Sequence, residues 1–145
     1  MKKKSFKVGL DVHGVINSNV KLFSKLINRL RSEAIEVHIL TGREYCERLV
    51  EELRDLSIRY DQIFSITSYH KTIGTYIKYK DGDITQPLIA PPKWDSTKAL
   101  YARHVNLDVH IDDSAEYGKY FVHNTQYIRY TPVIEVLFQT LMEDL

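Results

Sequence analysis

The sequence predicts an α/β fold: a mostly parallel, five-stranded central sheet flanked by helices, with a small β-hairpin inserted past the middle of the chain. Two observations predict it. Short apolar runs alternate with segments of helical periodicity along most of the chain, which is the pattern of βαβ units. Three of these runs also end alike, in a turn that carries a carboxylate or a hydroxyl. They are Phe6-Lys7-Val8-Gly9-Leu10 before Asp11, Ile35-Glu36-Val37-His38-Ile39-Leu40 before Thr41-Gly42-Arg43, and Leu107-Asp108-Val109-His110-Ile111 before Asp112-Asp113.

The elements follow in order. The first strand delivers Asp11 to a sharp turn, Val12-His13-Gly14-Val15. Val20, Phe23, Leu26, Ile27 and Leu30 then recur at helical spacing, with Ser18 or Asn17 as the cap. A second strand spans 35–41, and a helix over 44–56 carries Leu49, Val50, Leu53 and Leu56 on one stripe. Residues 62–68 read as a third strand. The segment 74–86 holds Asp81-Gly82, the signal of a two-residue hairpin turn. Ala90-Pro91-Pro92 ends it and excludes a helix there. Asp95 or Ser96 caps a helix through Lys98, Leu100 and Tyr101 towards His104. A strand over 107–112, a short helical turn and a strand over 126–130 follow. Pro132 opens a last helix whose stripe is Val133, Val136, Leu137, Leu141 and Met142, packed by default on its own sheet. Right-handed crossovers place the first strand centrally, between the strands that end at Thr41 and Asp112. The result is a Rossmann-like domain over 1–145, with the hairpin insertion at about 73–92.

Bulk properties narrow the function. The length of 145 residues suits one domain with a real core. Lysine and arginine number 20 against 19 acids, a net charge of +1, which argues against a nucleic-acid binder. Lys2-Lys3-Lys4 reads as a solvated amino terminus, and Lys7 and Asp11 interrupt any signal-like apolar segment behind it. No run approaches the ~18 apolar residues of a membrane span. Cys46 is the one cysteine, so no internal disulfide is expected and a cytoplasmic location fits. Cys46 and the six histidines lack zinc-ligand spacing.

Open α/β sheets put their chemistry at the carboxyl ends of the strands. Two strands ending in carboxylates and one ending in a hydroxyl suit a magnesium-dependent phosphate site. Asp11-Val12-His13-Gly14-Val15, Thr41-Gly42, a lysine and Asp112-Asp113, in that order, resemble the four motifs of the haloacid dehalogenase superfamily of phosphotransferases. Ile39-Leu40-Thr41-Gly42-Arg43, Trp94-Asp95-Ser96-Thr97-Lys98 and His110-Ile111-Asp112-Asp113-Ser114 are similar to small bacterial and phage members. The resemblance covers about Lys7 to Tyr130.

The resemblance implies a phosphatase acting on phosphate esters through a phospho-aspartate at Asp11, with Mg2+ held by Asp11, the His13 backbone carbonyl and one or both of Asp112 and Asp113. It implies that Thr41 binds phosphate with Gly42, and that Lys98, placed in the first turn of its helix, stabilises the nucleophile and the phosphoryl charge; Lys93 is the alternative lysine. Arg43 either reaches the substrate or caps a surface. His13 departs from the pattern, since the superfamily's phosphatases usually carry aspartate there as acid and base. Histidine can do both jobs. The open outcomes are a working hydrolase, a slow one with a long-lived phospho-aspartate, and a non-catalytic phosphate-binding or regulatory protein.

His38 and His110 read as core strand residues with hydrogen-bonded rings. Tyr69, Tyr76, Tyr79 and Trp94 cluster around the hairpin, where they either pack across its strands or stack on a ring of the substrate. The segment between Val15 and Thr41 holds only a helix and a strand, so the usual first cap position is empty and the hairpin is left as a small lid. The expected partner is a small phosphorylated substrate, a nucleotide among the candidates, with no membrane and no nucleic acid, in a monomer or weak homodimer. A nucleotide or nucleic-acid end phosphatase is the further alternative, against which the near-neutral charge speaks.

Overall fold

The computed structural model describes residues 5–143; the Lys2-Lys3-Lys4 run lies outside the described residues. The chain runs β1 (Lys7–Leu10), α1 (Val20–Ser32), β2 (Glu36–Thr41), α2 (Glu47–Asp55), β3 (Gln62–Ser65), α3 (Ile66–Thr72), β4 (Lys78–Tyr79), β5 (Pro87–Leu88), α4 (Pro91–Val105), β6 (Val109–Asp112), α5 (Ala115–Gly118), β7 (Gln126–Arg129) and α6 (Pro132–Glu143). Five strands form one parallel sheet in the order β3-β2-β1-β6-β7. The Asp11 strand is central, flanked by the strands that end at Thr41 and Asp112, as right-handed crossovers require. An α/β sandwich of this kind buries both sheet faces. Val8, Leu10, Val37, Ile39 and Ile111 form one face, against which α1, α2 and α6 set Phe23, Ile27, Leu49, Leu53 and Met142. On the other face α4 packs Ala102 against Leu40 and Leu107. Each large apolar side chain buried this way contributes about 1.5–3 kcal/mol. No helix of the described residues is long and apolar enough to cross a membrane.

Several boundaries differ from the sequence expectation, each for a local reason. The cap of α1 is Asn19, whose side chain accepts from the Leu22 amide, because Asn17 and Ser18 are used in a preceding 3-10 turn, Ile16–Ser18. The third strand stops at Ser65, and the residues expected to extend it open α3. Ile66 and Thr67 favour strands, but the Ser65 hydroxyl caps a helix by accepting from the Ser68 amide at 3.0 Å. The helix after Thr41 starts at Glu47, behind Cys46.

The hairpin is shorter and wider than Asp81-Gly82 suggests. Only Lys78 with Leu88 and Tyr79 with Pro87 pair, so residues 83–86 are loop, not strand. The Asp83 carboxylate folds them back by accepting from the Thr85 amide and hydroxyl at 2.9 and 2.7 Å and from Gln86 at 3.0 Å. Asp81 and Gly82 both take left-handed backbone, φ 53° and 73°.

Pro91-Pro92 do not exclude a helix. They begin α4, because the first helical turn needs no N–H donors. Asp95 and Ser96 are therefore interior residues, and Lys98 sits at the middle of α4 rather than in its first turn. In α6 the buried stripe is Ile134, Phe138 and Met142, spaced four apart; Val133, Val136, Leu137 and Leu141 face outward, leaving Met142 as the one member of the expected stripe that is buried.

Candidate functional site

The strand ends bring the motif residues together. Asp11 follows β1, and its amide donates to the Ile111 carbonyl at 3.1 Å, locking the exit of β1 to β6. Asp112 ends β6, and Asp113 begins the turn beyond it. Carboxylate oxygens of Asp11, Asp112 and Asp113 lie within 4.8 Å of one another. Asp113 crosses Gly14, where an added Cβ would sit 2.0 Å from Asp113 Oδ2; Gly14 also needs φ +82°. The midpoint of α4 carries Lys98 over this group. Its Nζ donates to Asp11 Oδ1 at 2.9 Å and Asp112 Oδ2 at 2.7 Å, and it stands 4.9 Å from the centre of the Tyr117 ring. Lys93, the alternative lysine, is exposed, and its backbone carbonyl accepts from Thr97. His110 Nε2 adds a second donor, 3.0 Å from Asp112 Oδ2.

Burial makes this cluster electrostatically tense. Asp11 is 7% exposed, Lys98 1% and Asp112 not at all. Burial pushes the Asp11 carboxyl up to about 7; Lys98 pulls it back and Asp112 pushes it further. Burial also works against ionised Asp112, but the His110 hydrogen bond and Lys98 outweigh it and hold it below the usual carboxylate range. Lys98 loses hydration, yet its two carboxylates more than compensate and raise it. Asp113 is raised by burial and by Asp112 beside it. Three carboxylates share one ammonium, so the cluster is short of positive charge.

Above it opens a cleft of about 690 Å3, lined by Asp11, His13, Gly42, Trp94, Lys98 and Asp113 among others. The hairpin reaches over it with Ile84, Thr85 and Pro87. Thr41 sits beneath the wall, fully buried, its hydroxyl accepting from the Arg43 amide at 3.1 Å. That contact curls the Thr41-Gly42-Arg43 turn; Ser65 and Thr67 hold it by donating to the Arg43 and Gly42 carbonyls at 2.5 and 2.6 Å. The Arg43 guanidinium is paired with the Glu52 carboxylate in α2. Of the four aromatics expected around the hairpin, Trp94 alone lines the cleft: its indole packs on Gly42, and its Nε1 donates to the Tyr117 hydroxyl at 2.8 Å. Tyr69 packs on Phe64 instead, Tyr76 is exposed, and no aromatic pair crosses the hairpin strands.

No family model matches the chain, and no curated protein matches it. Solved structures do. The core domain of a protein assigned as a phosphoglycolate phosphatase, from Streptococcus pneumoniae TIGR4, is 13% identical over 95% of this chain and 98% of its own, with a TM-score of 0.48. A chain of the Pnkp1/Rnl/Hen1 complex is 14% identical over 89% of this chain and 47% of its own, with a TM-score of 0.50. The chain shares its fold, a five-stranded parallel sheet between helices, with the chain of that complex. Within that fold, contacts to the cluster and to the Gly42 turn also come from residues to which the sequence assigned no site role. His110 was legible in principle: two residues before Asp112 on a strand, it must share its face. Tyr117, and Ser65 and Thr67 behind the Gly42 turn, had no signal, because tertiary packing alone brings them there.

Proposed function

We propose that this chain is a magnesium-dependent phosphomonoester hydrolase that works through a phospho-aspartate on Asp11. One observation carries the reading: Asp11, Asp112 and Asp113 converge within 4.8 Å at the ends of the two central strands, with Lys98 Nζ bonded to two of them. The donor set is all oxygen, which suits Mg2+. Asp11, Asp112, Asp113 and the His13 backbone carbonyl would hold the ion, and when bound it neutralises the crowded carboxylates and draws charge from the phosphoryl oxygens.

The residues' own work follows. An Asp11 oxygen attacks phosphorus, the bond from phosphorus to the ester oxygen breaks, and the departing oxygen takes a proton from His13. Water then attacks the phosphorus of the phospho-aspartate and gives a proton to His13; the bond from phosphorus to Asp11 breaks, freeing inorganic phosphate and Asp11. Lys98 supplies fixed positive charge beside the nucleophile. The Gly42 backbone at the cleft wall would offer its amide to the phosphate, and Thr41, buried beneath it, holds that turn by accepting from the Arg43 amide. The cleft far exceeds a phosphate in size, and Ile84, Pro87 and Trp94 give its upper part an apolar wall, so the leaving group is organic, a nucleoside among the candidates.

A weakly catalytic, phosphate-binding protein is the second reading, and one observation favours it. Asn17 Oδ1 accepts from the Gly14 amide at 2.8 Å, which turns its amide nitrogen toward His13 Nδ1 at 3.1 Å. A neutral His13 so held carries its proton on Nε2, which makes it a poor base for water and, because losing that one proton would leave an imidazolate, a poor acid for the leaving group. The test is phosphate release from an aryl phosphate and a nucleotide panel, with and without Mg2+, in wild type, Asp11→Asn and His13→Asp. Release that needs Mg2+ and vanishes in Asp11→Asn is expected. Silence in wild type with release by His13→Asp selects the second reading, and release by pure Asp11→Asn sinks the first.

A further inference from the structure

We propose that His110 is a positioning residue for the divalent cation: it commits Asp112 Oδ2 to the protein and leaves Asp112 Oδ1 for the metal. The proposal rests on the metal site put forward above.

The geometry is a count of donors and lone pairs. Asp112 Oδ2 accepts from Lys98 Nζ at 2.7 Å and faces His110 Nε2 at 3.0 Å, which fills its two lone-pair positions. Asp112 Oδ1 receives only the Ser114 amide, at 3.3 Å, and keeps capacity for a cation. Packing helps to hold the pose of His110. Its ring is fully buried, stacked on Phe121 at 5.3 Å and 13° and tilted against Tyr127 at 5.9 Å.

The other nitrogen faces the central strand. Nδ1 is buried and lies over the backbone of Gly9, its register neighbour on β1. A Cβ on Gly9 would come within 2.7 Å of it, so glycine is what lets the ring lie here. With the Asp112 carboxylate 3.0 Å from Nε2, a proton on Nε2 makes the ring a donor to Oδ2. Remove the Nε2–H and Oδ2 regains a free lone pair; the carboxylate can then turn, and the cation loses a fixed ligand. Removing such an outer partner of a metal ligand typically weakens metal affinity by about 10–100-fold.

The test titrates Mn2+, read by electron paramagnetic resonance, into wild type, His110→Met, His110→Gln and Asp112→Asn, with folding checked by circular dichroism. The expected order is a loss of about 10–100-fold in His110→Met, recovery of most of it in His110→Gln, whose amide nitrogen takes the place of Nε2, and the weakest binding in Asp112→Asn. Equal affinity in wild type and His110→Met overturns the proposal. So does His110→Gln binding as weakly as His110→Met, because the ring's bulk would then be what matters. If this order appears in a protein that hydrolyses nothing, the hydrolase reading fails and the role of His110 stands; a wild type that binds no Mn2+ ends both. Should His110→Met not fold, nitrogen-15 spectra of the wild-type histidines decide. A proton on His110 Nε2 that shifts when Mg2+ is added is expected, and a ring with no proton on Nε2 overturns the proposal.

Discussion

Lys98 is the residue on which the site's stability turns. It is buried between Asp11 and Asp112, and both depend on it for charge. Removing one partner of a buried ion pair costs about 3–5 kcal/mol, because the remaining charge is stranded. Lys98→Met keeps the bulk and loses the charge, so it should destabilise the metal-free protein by about that amount and abolish turnover. Mg2+ should restore part of the stability and none of the turnover, since the cation replaces the charge but not the donor beside the nucleophile. Denaturant melts with and without Mg2+ measure both arms. Gly14→Ala tests the opposite case, a site disturbed with its charges intact. The new methyl must displace Asp113 and occupy a φ of +82°, so Mn2+ affinity should fall while the strands and their register stay. Motif reading reached Asp11 and Asp112 because each stands at the end of an apolar strand, where period and punctuation are both visible in sequence, whereas Lys98, at the middle of α4, was reached only through the family resemblance. It did not reach the Arg43 partner, because nothing local says that a guanidinium will turn to Glu52 on the next helix.

Among the elements, α3 shows how local signals mislead and what the missed helix does. Its residues read as strand because Ile66 and Thr67 are β-branched, and a single serine cap reverses that preference. The helix then sends His70 into a buried position between α4 and the root of the hairpin. Thr97 Oγ1 donates to the Lys93 carbonyl at 2.5 Å, so it accepts from His70 Nε2 at 2.7 Å; His70 Nδ1 accepts from Thr75 Oγ1 at 2.8 Å. Both nitrogens are satisfied in the neutral ring. Burial holds His70 below its ordinary 6.5, with the Lys93 backbone pulling the other way. The unfolded chain therefore takes up this proton first as the pH falls. The stability tied to neutral His70 is present above about 6.5 and is lost as the pH drops towards the lower folded-state value. Urea midpoints at pH 8 and pH 5 should fall further in wild type than in His70→Gln. His110, also held low by burial, contributes equally to both proteins and cancels. Equal slopes in the two proteins would remove His70 from the account. The hairpin failed on the same kind of ground as α3: Asp81-Gly82 signals a tight turn, and the Asp83 carboxylate that follows overrides it.

For the whole molecule, the charge shortage at the strand ends is a standing cost of the fold that a divalent cation would remove. Asp11, Asp112 and Asp113 sit on two central strands and the turn beyond them, so a cation that binds them ties β1 to β6 in the folded state and finds no such site in the unfolded chain. Binding to the native state alone adds about 2.7 kcal/mol when free cation exceeds its dissociation constant a hundredfold. For a chain of this size that is a rise in Tm of about 5–10 °C. Mg2+ should produce the rise at pH 7.5, EDTA should reverse it, and Na+ at equal ionic strength should not reproduce it, because screening acts on exposed charges far more than on a buried cluster. Asp112→Asn should fold and lose the rise, since the amide that replaces the carboxylate offers the ion no charge. His13→Asp should keep it, because the backbone carbonyl at that position does not change with the side chain. A rise of the same size in Asp112→Asn would place the cation elsewhere on the protein and break the link between these three carboxylates and the metal.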